Sequence, residues 1–177
     1  QGIQEVDPKF IEKQINSILE DIGVDVIKIG MLFNASVIKT VARCLLEIKN
    51  CPIVLDPVMY AKSGDPLLQD DAVESIKNDL FPLATIITPN IPEAEALLDY
   101  SIESLESMQQ AAIDLNKLVP KAVVVKGGAL SARTSDDCLV IEGGNPQWLK
   151  QERVKTKNLH GAGCTFSSAV AGFLAQS

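Results

Sequence analysis

Short runs rich in valine and isoleucine alternate with longer amphipathic segments along most of the chain. The apolar runs lie at residues 24–30, 52–57, 84–90 and 121–128. The segments with helical spacing of apolar side chains lie at residues 7–23, 36–50, 70–81 and 106–119. Short apolar strands separated by helices are typical of a parallel sheet covered on both faces. The alternation therefore predicts an α/β fold, a three-layer α/β/α sandwich with a mostly parallel central sheet.

The pattern changes in the last third of the chain. Residues 137–154 contain two strand-like runs around a Gly-Gly-Asn-Pro turn, which predicts an antiparallel hairpin appended at one edge of the sheet. A final helix is expected from about Gly163 onward. With 177 residues, 46% of them hydrophobic, the chain can bury a core, and we expect residues 1–177 to form a single domain. Because the chain begins with Gln1 and ends inside an apolar helix, we also expect it to be a piece of a longer protein.

Charge and cysteine usage exclude several classes of function. The formal net charge is −7 and no basic run offsets it, which argues against a nucleic-acid partner. No segment resembles a membrane span or a signal peptide. The four cysteines show no CxxC pairing and His160 is the only histidine, so a zinc site is not expected. Scattered single cysteines fit a reducing cytoplasm.

Polar side chains follow the predicted strands at the edge where open α/β sheets bind ligands. Asp56 follows the second strand and can orient a metal or a phosphate, or it can simply cap a turn. Asn90 and Glu93 stand one helical turn apart after the third strand, either as ligands for magnesium and its waters or as a helix-capping pair. Lys126 ends the fourth strand beside two glycines, where it can reach a phosphate or snorkel to solvent.

The stretch "LHGAGCTFSS" places Cys164 at the start of the last helix, directly after Gly161-Ala162-Gly163. Exposed N–H groups at a helix N-terminus attract anions, and such a position favours ionisation of a cysteine thiol. The alternative is an ordinary loop–helix junction with a buried cysteine. Taken together with the strand ends, the turn predicts a site for a phosphorylated ligand.

Four motifs in a fixed order carry a resemblance to a known family. They are "LDPVMYAKSGD", "TPNIPEAEAL", "VVVKGG" and "LHGAGCTFSSAVAGFLA". Together they resemble the hydroxymethylpyrimidine and phosphomethylpyrimidine kinases of thiamin biosynthesis, in the ribokinase superfamily. The resemblance runs through essentially the whole chain, and it implies a ribokinase-like fold. It also implies MgATP-dependent phosphorylation of 4-amino-5-hydroxymethyl-2-methylpyrimidine or its monophosphate.

The resemblance also implies roles for individual residues. The cysteine of the GxGC turn, here Cys164, is the proposed catalytic base, and the preceding turn forms an anion hole. Nucleotide-binding roles are implied for Lys126, Asn90 and Thr165, and magnesium-binding roles for Asp56, Glu93 and Asn90. The residues implied to line the pyrimidine pocket are Met31 and Val58.

Departures from the family pattern limit these expectations. Ala162 stands where the family often has threonine, although its backbone N–H still serves an anion hole. Family segments that grip the pyrimidine and that enclose the adenine are absent, so we expect the chain to hold the phosphate-handling half of a site. The family commonly forms homodimers, which we expect of the full-length protein. Two alternatives stay open: a pyridoxal kinase of the same branch, and a nucleotide-binding module without catalysis.

Overall fold

The computed structural model describes residues 3–61, 64–69, 71–119, 121–130 and 134–176. The helices are α1 (Pro8–Asp21), α2 (Ala35–Leu45), α3 (Ala72–Ser75), α4 (Ile91–Leu98), α5 (Leu105–Asn116) and α6 (Ala162–Leu174). The strands are β1 (Ile27–Ile29), β2 (Ile53–Leu55), β3 (Ile86–Ile87), β4 (Ala122–Val125), β5 (Asp137–Ile141) and β6 (Gln147–Leu149). Within this part of the chain no helix is both long enough and apolar enough to cross a membrane.

The six strands form one sheet in the order β1-β2-β3-β4-β5-β6. The first four strands are parallel neighbours, whereas β4–β5 and β5–β6 are antiparallel pairs. The predicted α/β architecture is confirmed, and so is the antiparallel hairpin at the edge. Its strands face each other with Cys138 opposite Trp148.

Polar side chains cap the starts of α1 and α2. The Asp7 carboxylate accepts hydrogen bonds from the backbone N–H groups of Lys9 and Phe10, with Pro8 in the first turn of α1. The Asn34 side chain caps α2 in the same way through the N–H of Val37. Each cap satisfies a donor that the helix itself cannot pair.

The predicted helix over residues 70–81 is regular only in α3. It continues as a π-helical turn (Ile76–Leu80) and a 3₁₀ turn (Phe81–Leu83), and Asp70 lies outside the described residues. Pro82 lacks an N–H and cannot extend an α-helix. The wide turn brings Ile76, Leu80 and Phe81 into the core together, with exposed fractions of 3%, 1% and 0%.

The two faces of the parallel strands carry different chemistry. One face belongs to the main hydrophobic core, together with residues of α2 and α5; its strand members are Ile29, Ile53, Leu55, Ile87, Val123 and Val125. Right-handed crossovers between sequential parallel strands place α2 to α5 on this face. Side chains alternate along a strand, so Lys28, Asp56 and Lys126 lie on the opposite face. That is the face on which α6 packs against β1 and β2.

Candidate active site

A cavity of about 770 Å³ opens at the carboxyl ends of the parallel strands, beside the start of α6. Its described lining comes from the segments that follow β1, β2, β3 and β4 and from the glycine turn. The predicted site residues that line it are Met31, Asp56, Val58, Asn90, Glu93, Lys126, Gly161, Ala162, Gly163 and Cys164. Thr165 is exposed in the first turn of α6 and is not among the described lining residues. The structure therefore brings together residues that are more than 130 positions apart in the chain.

Asp56 lies at the centre of a buried polar network, with only 1% of its surface exposed. Its Oδ1 accepts hydrogen bonds from Lys126 Nζ at 2.8 Å and from Thr88 Oγ1 at 3.3 Å. Its Oδ2 accepts a hydrogen bond from Ser167 Oγ at 3.1 Å, and Lys28 Nζ lies 4.0 Å away. A buried carboxylate needs such partners to stay charged. Asp56 thus connects β1, β4 and α6 through a single side chain.

Lys126 faces the cavity rather than open solvent, with 14% of its side chain exposed. Its backbone N–H donates to Pro89 O at 2.8 Å, which fixes it next to Asn90 on the neighbouring segment. Its Nζ lies 3.2 Å from the position that a Cβ would occupy at Gly163. The glycine lets the ammonium group approach the first turn of α6, where both can meet the same anion.

Asn90 and Glu93 form a reciprocal capping box at the start of α4. The Asn90 side chain accepts from the Glu93 N–H at 3.0 Å, and Glu93 Oε2 accepts from the Asn90 N–H at 2.8 Å. Both side chains also line the cavity, so the capping interpretation is confirmed without removing them from the site. Burial raises the pKa of Glu93 to about 7, against the opposing effects of the Asn90 N–H and Lys126.

The glycine turn adopts the geometry that an anion site requires. Gly161 is the N-cap of α6 with φ of 78°, in the left-handed region that favours glycine. It offers no side chain to the first-turn N–H groups of the helix. The Ala162 N–H, expected to serve an anion hole, instead donates to Leu159 O at 3.3 Å, whereas the N–H groups of Gly163 and Cys164 can meet a ligand. Cys164 follows in this turn, exposed and on the cavity wall, so the buried-cysteine alternative is wrong.

Three polar residues of the network were missed by the sequence analysis: Lys28, Thr88 and Ser167. Lys28 is the one charged residue in β1, and it shares a sheet face with Asp56. Ser167 stands one helical turn after Gly163 and is the only buried residue of α6. A search for polar residues on the same strand face and helix face as the predicted site would have found Lys28 and Ser167.

The described residues place oxygen atoms beside the start of α6 but form no ready-made metal cage. Among the described residues there is no group of three or more His, Cys, Asp or Glu side chains that could hold a metal ion. Magnesium commonly keeps several waters and binds through one or two carboxylates and the substrate phosphates. The pair of Asn90 and Glu93, on the cavity wall with Asp56, fits that looser mode of binding.

The chain is similar in sequence to known proteins over nearly its whole length. The chain is 46% identical over 175 residues to the thiamine biosynthesis bifunctional protein ThiED of Geobacter sulfurreducens, covering 99% of this chain and 36% of that protein. It is 36% identical to a hydroxymethylpyrimidine/phosphomethylpyrimidine kinase of Staphylococcus aureus, covering 99% of this chain and 64% of that protein. The chain thus spans less than two thirds of the length of these curated relatives.

A solved structure shares the fold. The pyridoxal kinase of Staphylococcus aureus, solved with AMP-PCP and pyridoxal, matches with a TM-score of 0.87 and 31% identity, over 99% of this chain and 63% of that one. The family model described as phosphomethylpyrimidine kinase matches residues 1–177. The chain belongs to the phosphomethylpyrimidine kinase family.

Proposed function

We propose that the protein transfers the γ-phosphoryl group of ATP to the hydroxymethyl group of 4-amino-5-hydroxymethyl-2-methylpyrimidine, or to its monophosphate, in thiamin diphosphate biosynthesis. The observation that carries the proposal is the shared cavity of Asp56, Glu93, Lys126 and Cys164 at the strand ends. The names of the curated relatives support the same reaction. ATP and Mg²⁺ are therefore its proposed cofactors.

The chemistry requires positioning and charge neutralisation more than covalent help from the protein. With hydroxymethylpyrimidine as the acceptor, the alcohol oxygen attacks the γ-phosphorus, the bond to the ADP oxygen breaks, and the alcohol proton passes to Cys164 Sγ, the proposed base. The N–H groups of Gly161, Gly163 and Cys164 and the Lys126 ammonium meet the charge on the phosphate oxygens. Thr165, in the same turn, is proposed as a further nucleotide contact. Met31 and Val58 would provide the apolar wall against the pyrimidine ring.

Magnesium would be held by Asn90 and Glu93, directly or through waters. When bound, it would neutralise phosphate charge and orient the nucleotide. Asp56, proposed earlier as a further ligand, has both oxygens engaged by lysine and hydroxyl groups. We therefore propose that the main role of Asp56 is to hold the Lys126 ammonium group in place next to the metal and phosphate site, rather than to bind the metal.

The test is a phosphoryl-transfer assay with the complete protein, offering hydroxymethylpyrimidine, its monophosphate and pyridoxal separately. Cys164→Ala should lower kcat by about a hundredfold, the usual size of a lost general base. Cys51→Ala is the matched control, because the half-buried Cys51 lies just before β2, at the opposite end of that strand from the cavity. Near-normal turnover of Cys164→Ala would exclude the thiol as the base.

Pyridoxal kinase activity is the second candidate, favoured by the likeness to a pyridoxal kinase solved with its substrate. Faster turnover of pyridoxal than of either pyrimidine would establish it. A nucleotide-binding module without catalysis is the third candidate. Binding of ATP without transfer to any of the three acceptors would support that function instead.

The remaining expectations stay predictions. All four cysteines are free thiols, which supports the proposed cytoplasmic location. A homodimer and the assignment of residues 1–177 to one domain are proposed, the latter supported by a single continuous sheet.

A further inference from the structure

Two lysines face the buried carboxylate of Asp56, which lines the cavity. Lys126 Nζ lies 2.8 Å from Asp56 Oδ1, and Lys28 Nζ lies 4.0 Å from Asp56 Oδ2. The two ammonium groups therefore approach opposite oxygens of the same buried side chain. Lys28 is partly buried, with 22% of its side chain exposed, and it reaches Asp56 from the neighbouring strand β1.

The proposed reaction gives Lys126 two partners that compete for it. In the structure its ammonium pairs with Asp56, yet the proposed function requires it to meet phosphate oxygens. When Lys126 turns to a phosphate, Asp56 keeps the hydrogen bonds from Thr88 and Ser167 but loses its nearest cation, and it lies close to a polyanion. A buried charge without a counter-ion is unfavourable, and the repulsion from the polyanion adds to the cost. A second cation at Asp56 would remove this penalty.

Gly30 lies close to the Lys28 ammonium group. Lys28 Nζ lies 2.9 Å from the position that a Cβ would occupy at Gly30, so a side chain there would require the end of the lysine to shift. The φ of Gly30 lies outside the left-handed region, so its conformation does not require glycine. Gly163 makes the same kind of space for Lys126. Each lysine of the pair thus lies against a glycine.

We propose that Lys28 is a positioning residue of the nucleotide site: its ammonium group keeps Asp56 neutralised while Lys126 engages the phosphates. Lys28 then needs no contact with the nucleotide itself. The inference rests on the proposed function only in taking Lys126 as the phosphate-binding group. It predicts that removal of the Lys28 charge weakens nucleotide binding, and that the loss depends on Asp56.

The experiment measures the Kd of AMP-PCP with magnesium by titration calorimetry on the complete protein. Lys28→Met removes the charge and keeps the length of the side chain, and it should weaken binding about tenfold. Lys28→Arg should restore most of the affinity. Lys39→Met is the matched control, because Lys39 is an exposed lysine of α2, and its Kd should equal that of the wild type.

A double-mutant cycle with Asp56→Asn separates this role from a merely structural one. In the Asp56→Asn background, Lys28→Met should change the Kd less than twofold, because no carboxylate is left to neutralise. Circular dichroism of each variant checks that it is folded, and a single Lys28→Met protein that is folded and binds like the wild type overturns the inference. An equal loss in both backgrounds also overturns it. A protein that binds AMP-PCP yet transfers no phosphate contradicts the proposed function and leaves the inference on Lys28 to be judged by these affinities.

Discussion

Glu93 combines two tasks that usually belong to different carboxylates. Its oxygen caps the backbone of Asn90, and its side chain forms part of the cavity wall while only 3% exposed. The ionised form is disfavoured by burial and by the charge of Asp56, which is why its pKa rises to about 7. A carboxyl group that is partly protonated at neutral pH becomes fully ionised when a cation arrives. Magnesium binding at this position would therefore release protons.

The raised pKa of Glu93 predicts a pH-dependent stability. The folded-state pKa of about 7 exceeds the ordinary value of 4.5, so the folded protein favours the protonated form. The resulting contribution to the free energy of unfolding is fully present below about pH 4.5 and is lost as the pH rises through 7. In a chelator, the Tm of the wild type should therefore fall relative to that of Glu93→Gln between pH 5 and pH 8. A constant difference in Tm across this range would contradict the shift.

Individual residues were predictable where their own neighbours in sequence define their role. Asn90 and Glu93 signal a capping box by their spacing, and the glycine turn at residues 161–163 signals the start of α6. Lys28 was not predictable in this way, because its partner Asp56 is 28 positions away along the chain. Only the alternation of side chains on paired strands connects the two.

At the scale of elements, α6 is anchored by a polar residue, which its sequence does not predict. The helix is rich in apolar residues, yet its single buried residue is Ser167. The Ser167 hydroxyl lies 3.1 Å from Asp56 Oδ2 and also approaches the carbonyl oxygens of Gly163 and Cys164. One hydroxyl group thus fixes the first turn of the helix, and with it Cys164, against the end of β2.

Ser167→Ala should loosen this attachment. It leaves Asp56 Oδ2 without its hydroxyl partner, which should cost about 1–3 kcal/mol of unfolding free energy. The rate at which iodoacetamide alkylates Cys164 should change as well, because the turn that carries the thiol is less firmly placed. Ser168→Ala is the control, since Ser168 is the exposed next residue in α6. Identical stability and alkylation rates in both variants would refute the role of the Ser167 hydroxyl.

Elements with strong local signals were predicted well, and those that depend on distant contacts were not. The Gly-Gly-Asn-Pro turn predicts the hairpin of β5 and β6, the apolar spacing over residues 7–23 predicts α1, and the Asn90–Glu93 pair predicts the start of α4. The π-helical turn after α3 was missed, because it depends on packing against distant core residues and has no local sequence signal. The sequential strand order was also beyond prediction, since short strands with apolar side chains do not encode their neighbours.

At the scale of the whole molecule, folding and chemistry are divided between the faces of one sheet. The face toward α2 to α5 carries the large apolar core, whereas the face toward α6 carries Lys28, Asp56 and Lys126. The two sets alternate along the same strands, as in Val125 and Lys126. Substitutions on the two faces should therefore have different effects.

Phe81→Ala tests this division. Phe81 is 0% exposed in the core, so its truncation should lower the unfolding free energy by about 3–5 kcal/mol. The Kd for AMP-PCP should be unchanged under conditions where the variant is folded. Phe173→Ala is the control on α6, where the ring is 75% exposed and its loss should cost less than about 0.5 kcal/mol. Denaturant titration gives both energies, and a nucleotide affinity that falls with stability in Phe81→Ala would argue against separate faces.

The alternation along β4 has a consequence for which changes of length the chain can survive. Inserting or deleting one residue inside this strand would turn the Lys126 side chain toward the apolar core and a valine toward the cavity. The same slip would disrupt the core and the cavity together. One register of β4 therefore sets both faces: when its valines are buried in the core, Lys126 necessarily faces the cavity. Correct packing of the core and correct placement of this lysine are thus linked.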